Sequence, residues 1–289
     1  MHLLFSFSEK FPILRKITAS FNKNRRFTMN IVRIGLIAMI FILGSFTKVE
    51  VKDIKVDRVI IDAGHGGKDN GTSGVFSKEK DVALQIALEL GNTIKKYSPD
   101  VEVIYTRDND TFIGLKERAN VANKNHADLF ISIHCNAVDQ NKEKSYGTET
   151  WVMGPHKTEV NLQVAQRENS VILLEEGNEE KYEGFDPNDA GSYILFSLYQ
   201  NAYLENSLNL ADKIENQFTE RVGRYSRGVK QAGFVVLYQT SMPSVLVEVG
   251  FLTNSKEEKY LNDKLGQTYI ASGIFRAFRD YKSEIESVN

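Results

Sequence analysis

Short runs of β-branched and apolar residues bounded by turn residues recur along the chain: RVIID at 58–62, VEVIYT at 101–106, DLFISI at 128–133, GTETWVM at 147–153 and SVLVEV at 244–249. Such runs predict strands. Between the first two, Val82, Ile86, Leu90 and Ile94 recur every four residues, and before the third Leu115, Ala119 and Ala122 recur at three to four. Each spacing predicts a helix with one buried stripe. A last helix is expected over about Gln267 to Ile285, with Ile270, Ile274, Ala277, Phe278 and Tyr281 on one side. Strands and helices alternating at this pitch predict an α/β fold with a mostly parallel central sheet and helices on both faces, because a parallel connection requires a crossover.

One stretch breaks the alternation. Residues 156–200 hold nine acidic against three basic side chains, with a turn-rich EGFDPNDAG between two apolar patches, and read as a helical insertion. Val160, Val164, Val171 and Leu174 predict a helix before the turn. Tyr193, Leu195, Leu198 and Tyr199 begin another that continues through Leu204, Leu208, Ala211, Phe218 and Val222.

The other exception is the N-terminus. IGLIAMIFILGSF at 34–46 is an uncharged apolar run preceded by Arg25, Arg26 and Arg33 and followed by Thr47 and Lys48. A basic flank, an apolar run and then small residues is the order of an export signal, and the run is shorter than the ~20 residues of a comfortable membrane span. Gly44 and Ser45 offer small residues without a clean A-x-A, so a retained membrane anchor is the alternative, and Met29 is an alternative start. The expected organisation is a signal peptide or N-terminal anchor over 1–48 and one catalytic domain over 49–289, exported to the periplasm or cell envelope.

Removing the leader also changes the charge. Residues 1–48 carry eight basic side chains and one acidic, so the overall −2 leaves −9 on the remaining 241 residues. An acidic body lacks the basic face of a nucleic-acid binder, and 42% hydrophobic residues exclude a disordered chain. The single cysteine, Cys135, excludes an intramolecular disulfide and a multi-cysteine zinc ribbon. A metal site must therefore use histidines and carboxylates.

The first strand runs into DAGHGGKD, which places His65 just past its carboxyl end. The third strand, LFISIH, ends at His134 in the same topological position. Sites in open α/β sheets form at this edge. His2 in the leader, His126 in a polar connection and His156 at the start of the insertion read as surface residues. Glu79 is expected in the first turn of the helix after the His65 loop, where the helix dipole favours an acid in any case. The loop would bring its carboxylate back toward His65. Two histidines and one carboxylate are the set expected for a catalytic zinc, which keeps a fourth position open. Glu248 is the charged residue in the otherwise apolar run SVLVEVGFL, and an acid in such a run is rarely buried without a task. It reads as a general base. Cys135 follows His134 and so faces the other side of the strand, as a core residue.

VIIDAGHGGKDNGTSG, KEKDVAL, SIHCNA and MPSVLVEVGFLTN occur in this order between about Arg58 and Tyr281. Together they resemble the zinc-dependent N-acetylmuramoyl-L-alanine amidases of bacterial cell-wall turnover and division. The resemblance implies a twisted sheet of about six strands, Zn2+ held by His65, Glu79 and His134, Glu248 as the catalytic glutamate, and peptidoglycan as substrate. The bond implied is the amide between the muramoyl lactyl group and L-alanine of the stem peptide, cut in wall turnover or daughter-cell separation. Cys135 stands where the family usually has a smaller residue such as alanine.

Division-associated members carry a helix that blocks the site until an activator protein displaces it, and residues 156–200 sit at the matching place. Glu168 is the first candidate for such a plug, with Glu175 and Glu176 behind it. Asn136 and the Gly66–Gly67 backbone are candidate oxyanion donors, and Arg118 is expected to pair with a carboxylate of the sheet. Two other readings compete: a zinc peptidase acting within the stem peptide, and a non-catalytic wall-binding relative, which would usually have lost a ligand or the glutamate.

Overall fold

The computed structural model describes Met29, residues 55–197 and residues 202–287. The leader expected over 1–48 lies, Met29 apart, outside the described residues. Among the described residues no helix is long and apolar enough to cross a membrane.

The five expected strands form as β1 (Arg58–Ala63), β2 (Glu102–Tyr105), β3 (Leu129–Asn136), β4 (Thr148–Met153) and, near the end, β6 (Ser244–Phe251). A sixth, β5 (Ser226–Ala232), has the sequence SRGVKQA, with no apolar alternation to reveal it. It is an edge strand, paired only to β4, and Ala232 alone among its residues is fully buried, so it presents no apolar face to detect. The sheet order is β2-β1-β3-β6-β4-β5. All pairings are parallel except β4 with β6. The strands buried on both faces are the ones whose sequences read as nearly continuous apolar runs.

Alternate strand residues feed two cores. Ile61, Ile131, Ile133, Cys135, Val247 and Val249 pack against α1 (Glu79–Tyr97), α4 (Leu204–Gln217) and α6 (Lys264–Ser287). Ile60, Phe130, Trp151 and Leu246 face the other way, toward α2 (Leu115–Lys124) and α3 (Glu159–Asn169). The second face carries the polar residues of the strand ends, because His134 and Glu248 share the parity of Phe130 and Leu246. Helix α5 (Ser255–Asn262) follows β6.

The insertion departs from its expected stripes. Helix α3 ends at Asn169 and continues as a tighter turn over Ser170–Leu174, and Val160 and Leu174 are exposed. Its buried side is instead Asn161, Leu162, Val164, Ala165, Glu168 and Asn169. A face that mixes apolar with polar residues escapes a search for hydrophobic periodicity. The second expected helix begins as short turns over Ala190–Tyr193 and Ile194–Ser197, and α4 starts at Leu204. Leu198 and Tyr199 lie outside the described residues.

Candidate metal centre

The backbone at the end of β1 runs through three consecutive positive φ values, His65 59°, Gly66 127° and Gly67 57°. Only glycine adopts the middle one readily. The turn folds the loop over β3 so closely that a Cβ on Gly64 would meet the His134 ring at 2.5 Å. Gly71 has the same role toward the His65 ring, also at 2.5 Å. Gly64 and Gly71 are therefore room for the imidazoles.

Glu79 is the first residue of α1, and its carboxylate accepts hydrogen bonds from the N–H of Cys135 at 2.9 Å and of Thr72 at 2.8 Å. That fixes its Oε1 at 3.1 Å from both His65 Nε2 and His134 Nδ1. Helix α3 lowers a fourth group onto them: Glu168 Oε2 stands 3.3 Å from His65 Nε2 and 2.9 Å from His134 Nδ1. All four side chains are buried. The structure thus brings together the three expected ligands and adds the candidate plug.

These atoms are close without being hydrogen-bonded in every case. His65 Nε2 and Glu168 Oε2 are buried and have no hydrogen-bond partner. Donor atoms turned toward a common centre at this spacing are what a tetrahedral ion demands, since bonds of about 2.0–2.1 Å separate its ligands by about 3.3 Å. The donor set, two imidazoles and two carboxylates, suits zinc. On its far side His65 Nδ1 lies 2.7 Å from Asp69 Oδ2, and a proton there, donated to the carboxylate, leaves the Nε2 lone pair facing the cluster. Asp69 is a partner that the sequence reading missed, although it stands four residues after His65 in the same motif.

The groups shift one another. Burial alone would lower the histidines, but the charge of Glu79, the bond to Asp69 and the nearby Glu168 carboxylate hold His65 well above its usual range. Glu168 does the same for His134, raising it to about 9. Burial opposes the charge on Glu79, yet His65 beside it pulls that carboxyl down to about 2.

Glu248 is fully buried and sits on β6 in register with His134 on β3. Burial, and then the charge of Glu168, push its carboxyl well above the usual range. Its Oε2 has no partner and its Oε1 is 3.5 Å from an Arg167 nitrogen. Arg167 also donates to Glu168 Oε1 at 2.9 Å and to Asn136 Oδ1 at 3.1 Å. Nothing in the local sequence marked Arg167 out, because its role depends on where α3 lands.

Other candidates fall elsewhere. Glu175 lies at the N-terminus of α2, accepting from the N–H of Leu115, and Glu176 is exposed, so neither reaches the cluster. Asn136 donates to Glu149 and accepts from Arg167, while the Gly66 and Gly67 N–H groups already bond Asp69 and Asp110. Arg118 pairs with buried Asp62 at 2.7 Å, a structural tie. His126 is exposed and His156 half-buried, both away from the cluster.

Comparison with known proteins identifies the family. N-acetylmuramoyl-L-alanine amidase AmiA of Escherichia coli K12 is 34% identical over 226 residues, which cover 77% of this chain and 75% of that one. The N-acetylmuramoyl-L-alanine amidase of Clostridium difficile 630 has a TM-score of 0.59 at 30% identity, over 79% of this chain and 97% of that one. The CwlD amidase of Clostridioides difficile, solved in complex with the GerS lipoprotein, has a TM-score of 0.58 at 27% identity, over 79% and 99%. With residues 59–280 matching the family as a whole, the chain belongs to the N-acetylmuramoyl-L-alanine amidases.

Proposed function

We propose that this amidase works as a zinc enzyme in which His65, Glu79 and His134 hold the metal, Glu248 moves the proton, and Glu168 on α3 is a built-in plug. The observation that carries the reading is the convergence of four buried donor atoms, two of them without any hydrogen-bond partner, at the edge of the sheet. As an N-acetylmuramoyl-L-alanine amidase the chain cuts the bond between N-acetylmuramic acid and L-alanine of peptidoglycan, rather than a bond within the stem peptide.

Zinc, when bound, supplies a Lewis acid for the scissile carbonyl and lowers the pKa of water. Glu248 takes a proton from the attacking water and returns it to the leaving nitrogen, so that the amine departs neutral. Its burial serves this task, because a carboxylate whose proton affinity is raised is a better base. Asp69 holds the His65 ring in place, and the amides of Thr72 and Cys135 keep the Glu79 carboxylate aimed.

Helix α3 opposes the reaction in two ways. Glu168 occupies the side from which a substrate carbonyl would approach the ligand atoms, and the cavity left there is only about 10 Å³. Arg167 draws on the Glu248 carboxylate from the same helix. Both leave together when the insertion lifts. A protein that binds the insertion would be the activator, and its exposed Leu173 and Leu195 offer an apolar grip. The basic flank and apolar run of residues 1–48 support export, with the protein acting at the cell envelope in wall turnover or daughter-cell separation.

Mass spectrometry of a defined muropeptide incubated with the protein, and with a variant lacking residues 157–199, tests the reading. The expected result is release of intact stem peptide from the muramoyl sugar, faster without the insertion and abolished by Glu248→Ala. Folded, zinc-loaded proteins that release nothing in either form would overturn it.

A further inference from the structure

Strand β5 carries an irregularity. Thr148 and Thr150 of β4, two apart, pair with Ser226 and Val229 of β5, three apart. The extra residue is a bulge at Arg227 and Gly228, where Gly228 takes a φ of 84°. In an unbroken strand positions 227 and 230 face opposite sides of the sheet. Here the bulge turns both to one side, and Arg227 Nε at 2.7 Å and Lys230 Nζ at 2.6 Å reach the same oxygen, Glu149 Oε1. Bulges of this kind occur next to active sites, where they re-aim a side chain.

Glu149 is directly opposite Glu248 across the β4–β6 pair. The two positions are therefore about 5 Å apart at Cβ. Two cations for one buried carboxylate leave one positive charge over. Lys230, with its ammonium over the Trp151 ring, is the more enclosed of the two and matches Glu149. Arg227 is the surplus. Its side chain is 37% exposed, its guanidinium lies over the Phe251 ring, and only its Nε is engaged, by Glu149. It lines an open groove of about 860 Å³ that runs past Asn136 and Glu149 to Arg167. A guanidinium with both terminal nitrogens available is a fork matched to a carboxylate.

We propose that Arg227 selects stem peptides bearing a free carboxylate one or two residues beyond the scissile amide, on the side of the leaving amine. The distance fits, since an extended peptide advances about 3.3–3.6 Å per residue and Arg227 reaches the carboxylate neighbouring Glu248. The inference rests on the amidase assignment and adds the substrate class: stems in which that carboxyl is free, as opposed to amidated.

The experiment compares two muropeptides that differ only in a carboxylate or carboxamide on the residue after L-alanine, using the full zinc-loaded chain. The expected wild-type preference in kcat/KM is about 10–100-fold for the carboxylate, carried by KM, as befits one hydrogen bond to a charged group. Arg227→Gln brings the ratio close to one, and Arg227→Lys keeps part of it. Equal cleavage of both substrates by the wild type, or a ratio unchanged in Arg227→Gln, overturns the proposal. Fluorescence anisotropy of labelled stem peptides of the same two kinds gives a readout without turnover. If the full chain cuts neither muropeptide, the variant lacking residues 157–199 is assayed on the same pair: cleavage there shows a closed plug and silence there puts the amidase reading at fault, while the binding ratio and its response to Arg227→Gln still decide the role of Arg227.

Discussion

The floor of the metal centre and its roof are held by different kinds of contact. On the floor, His65 and His134 stand at the ends of central strands and Glu79 opens α1, and further bonds pin His65 and Glu79: Asp69 on His65, and two backbone amides on Glu79. Beneath them Arg118 bonds Asp62, the Ala63 carbonyl and the His65 carbonyl. The roof, α3 and the turns after it, rests on the body through the apolar side chains of Leu162, Val164, Ala165, Val171 and Ile172 and through side-chain bonds rather than a strand ladder. Asn169 bonds Gly233, Tyr193 and Val235, and Glu175 reaches the first turn of α2. A floor built into the sheet cannot move without unfolding. A roof that lies on the sheet by packing and side-chain bonds, with no strand in the sheet, can leave while the sheet stays whole, which is the property the proposed plug requires.

The sharpest way to break this contrast is to cut the deepest tie of the floor. Arg118→Met leaves Asp62 buried with its cation gone, a change expected to cost about 3–5 kcal/mol of global stability. The pH dependence carries its own sign. Burial would raise Asp62, but Arg118, with the hydroxyls of Ser132 and Thr106 and the nearby His134 behind it, outweighs burial and holds the carboxyl below its usual value. That contribution is present above the unfolded pKa near 3.9 and is lost as pH falls through the folded value. In the variant burial is opposed only by the two hydroxyls and His134 and the folded pKa rises, so the deficit is greatest near neutrality. The gap in melting temperature between wild type and variant should narrow toward pH 4. A loss below 1 kcal/mol in chemical denaturation would mean that the floor is no more firmly built than the roof.

The same contrast explains what the sequence could reveal. His65, Glu79, His134 and Glu248 were legible because each is placed by a rule of strand and helix: the end of an apolar run, the first turn of a helix, a lone charge in a buried strand. Strand β5 was not, since SRGVKQA has no pattern and becomes a strand only because β4 offers it an edge. Arg167 and Asn169 were invisible for a related reason. Their partners lie 81 and 64 residues away at Glu248 and Gly233, and only the docking of α3 brings them together. Glu168 was suggested by resemblance, and its rank above Glu175 and Glu176 agrees with where the three carboxylates lie.

A second, milder test acts on the tuning of the floor. Asp69→Asn keeps the shape of the partner but removes the charge that orients His65. Loss of such an outer partner typically lowers metal affinity about 10–100-fold. Zinc competition against a chelator should show this decrease with the melting curve of the sheet nearly unchanged. An unchanged affinity would remove Asp69 from the account of the site.

The smallest effect is expected at the roof. Helix α2 begins after Gly114, which has no capping side chain of its own. Glu175 supplies the cap from the insertion: its Oε1 accepts from Leu115 N–H at 3.1 Å and from the Tyr182 hydroxyl at 2.6 Å, with Lys181 on its other oxygen. Tyr182 in turn accepts from the N–H of Lys116. The negative end of the roof thus rests on the positive end of a body helix. Glu175→Ala should cost about 1 kcal/mol, as for other lost caps. Because the cap joins roof to body, much of that loss falls on closure, and basal amidase activity should rise about fivefold. Hydrogen exchange over 155–197 provides the check, with faster exchange there and unaltered protection in β1 and β3. Faster exchange in the strands as well would show that roof and floor open as one unit, and the distinction between them would fall.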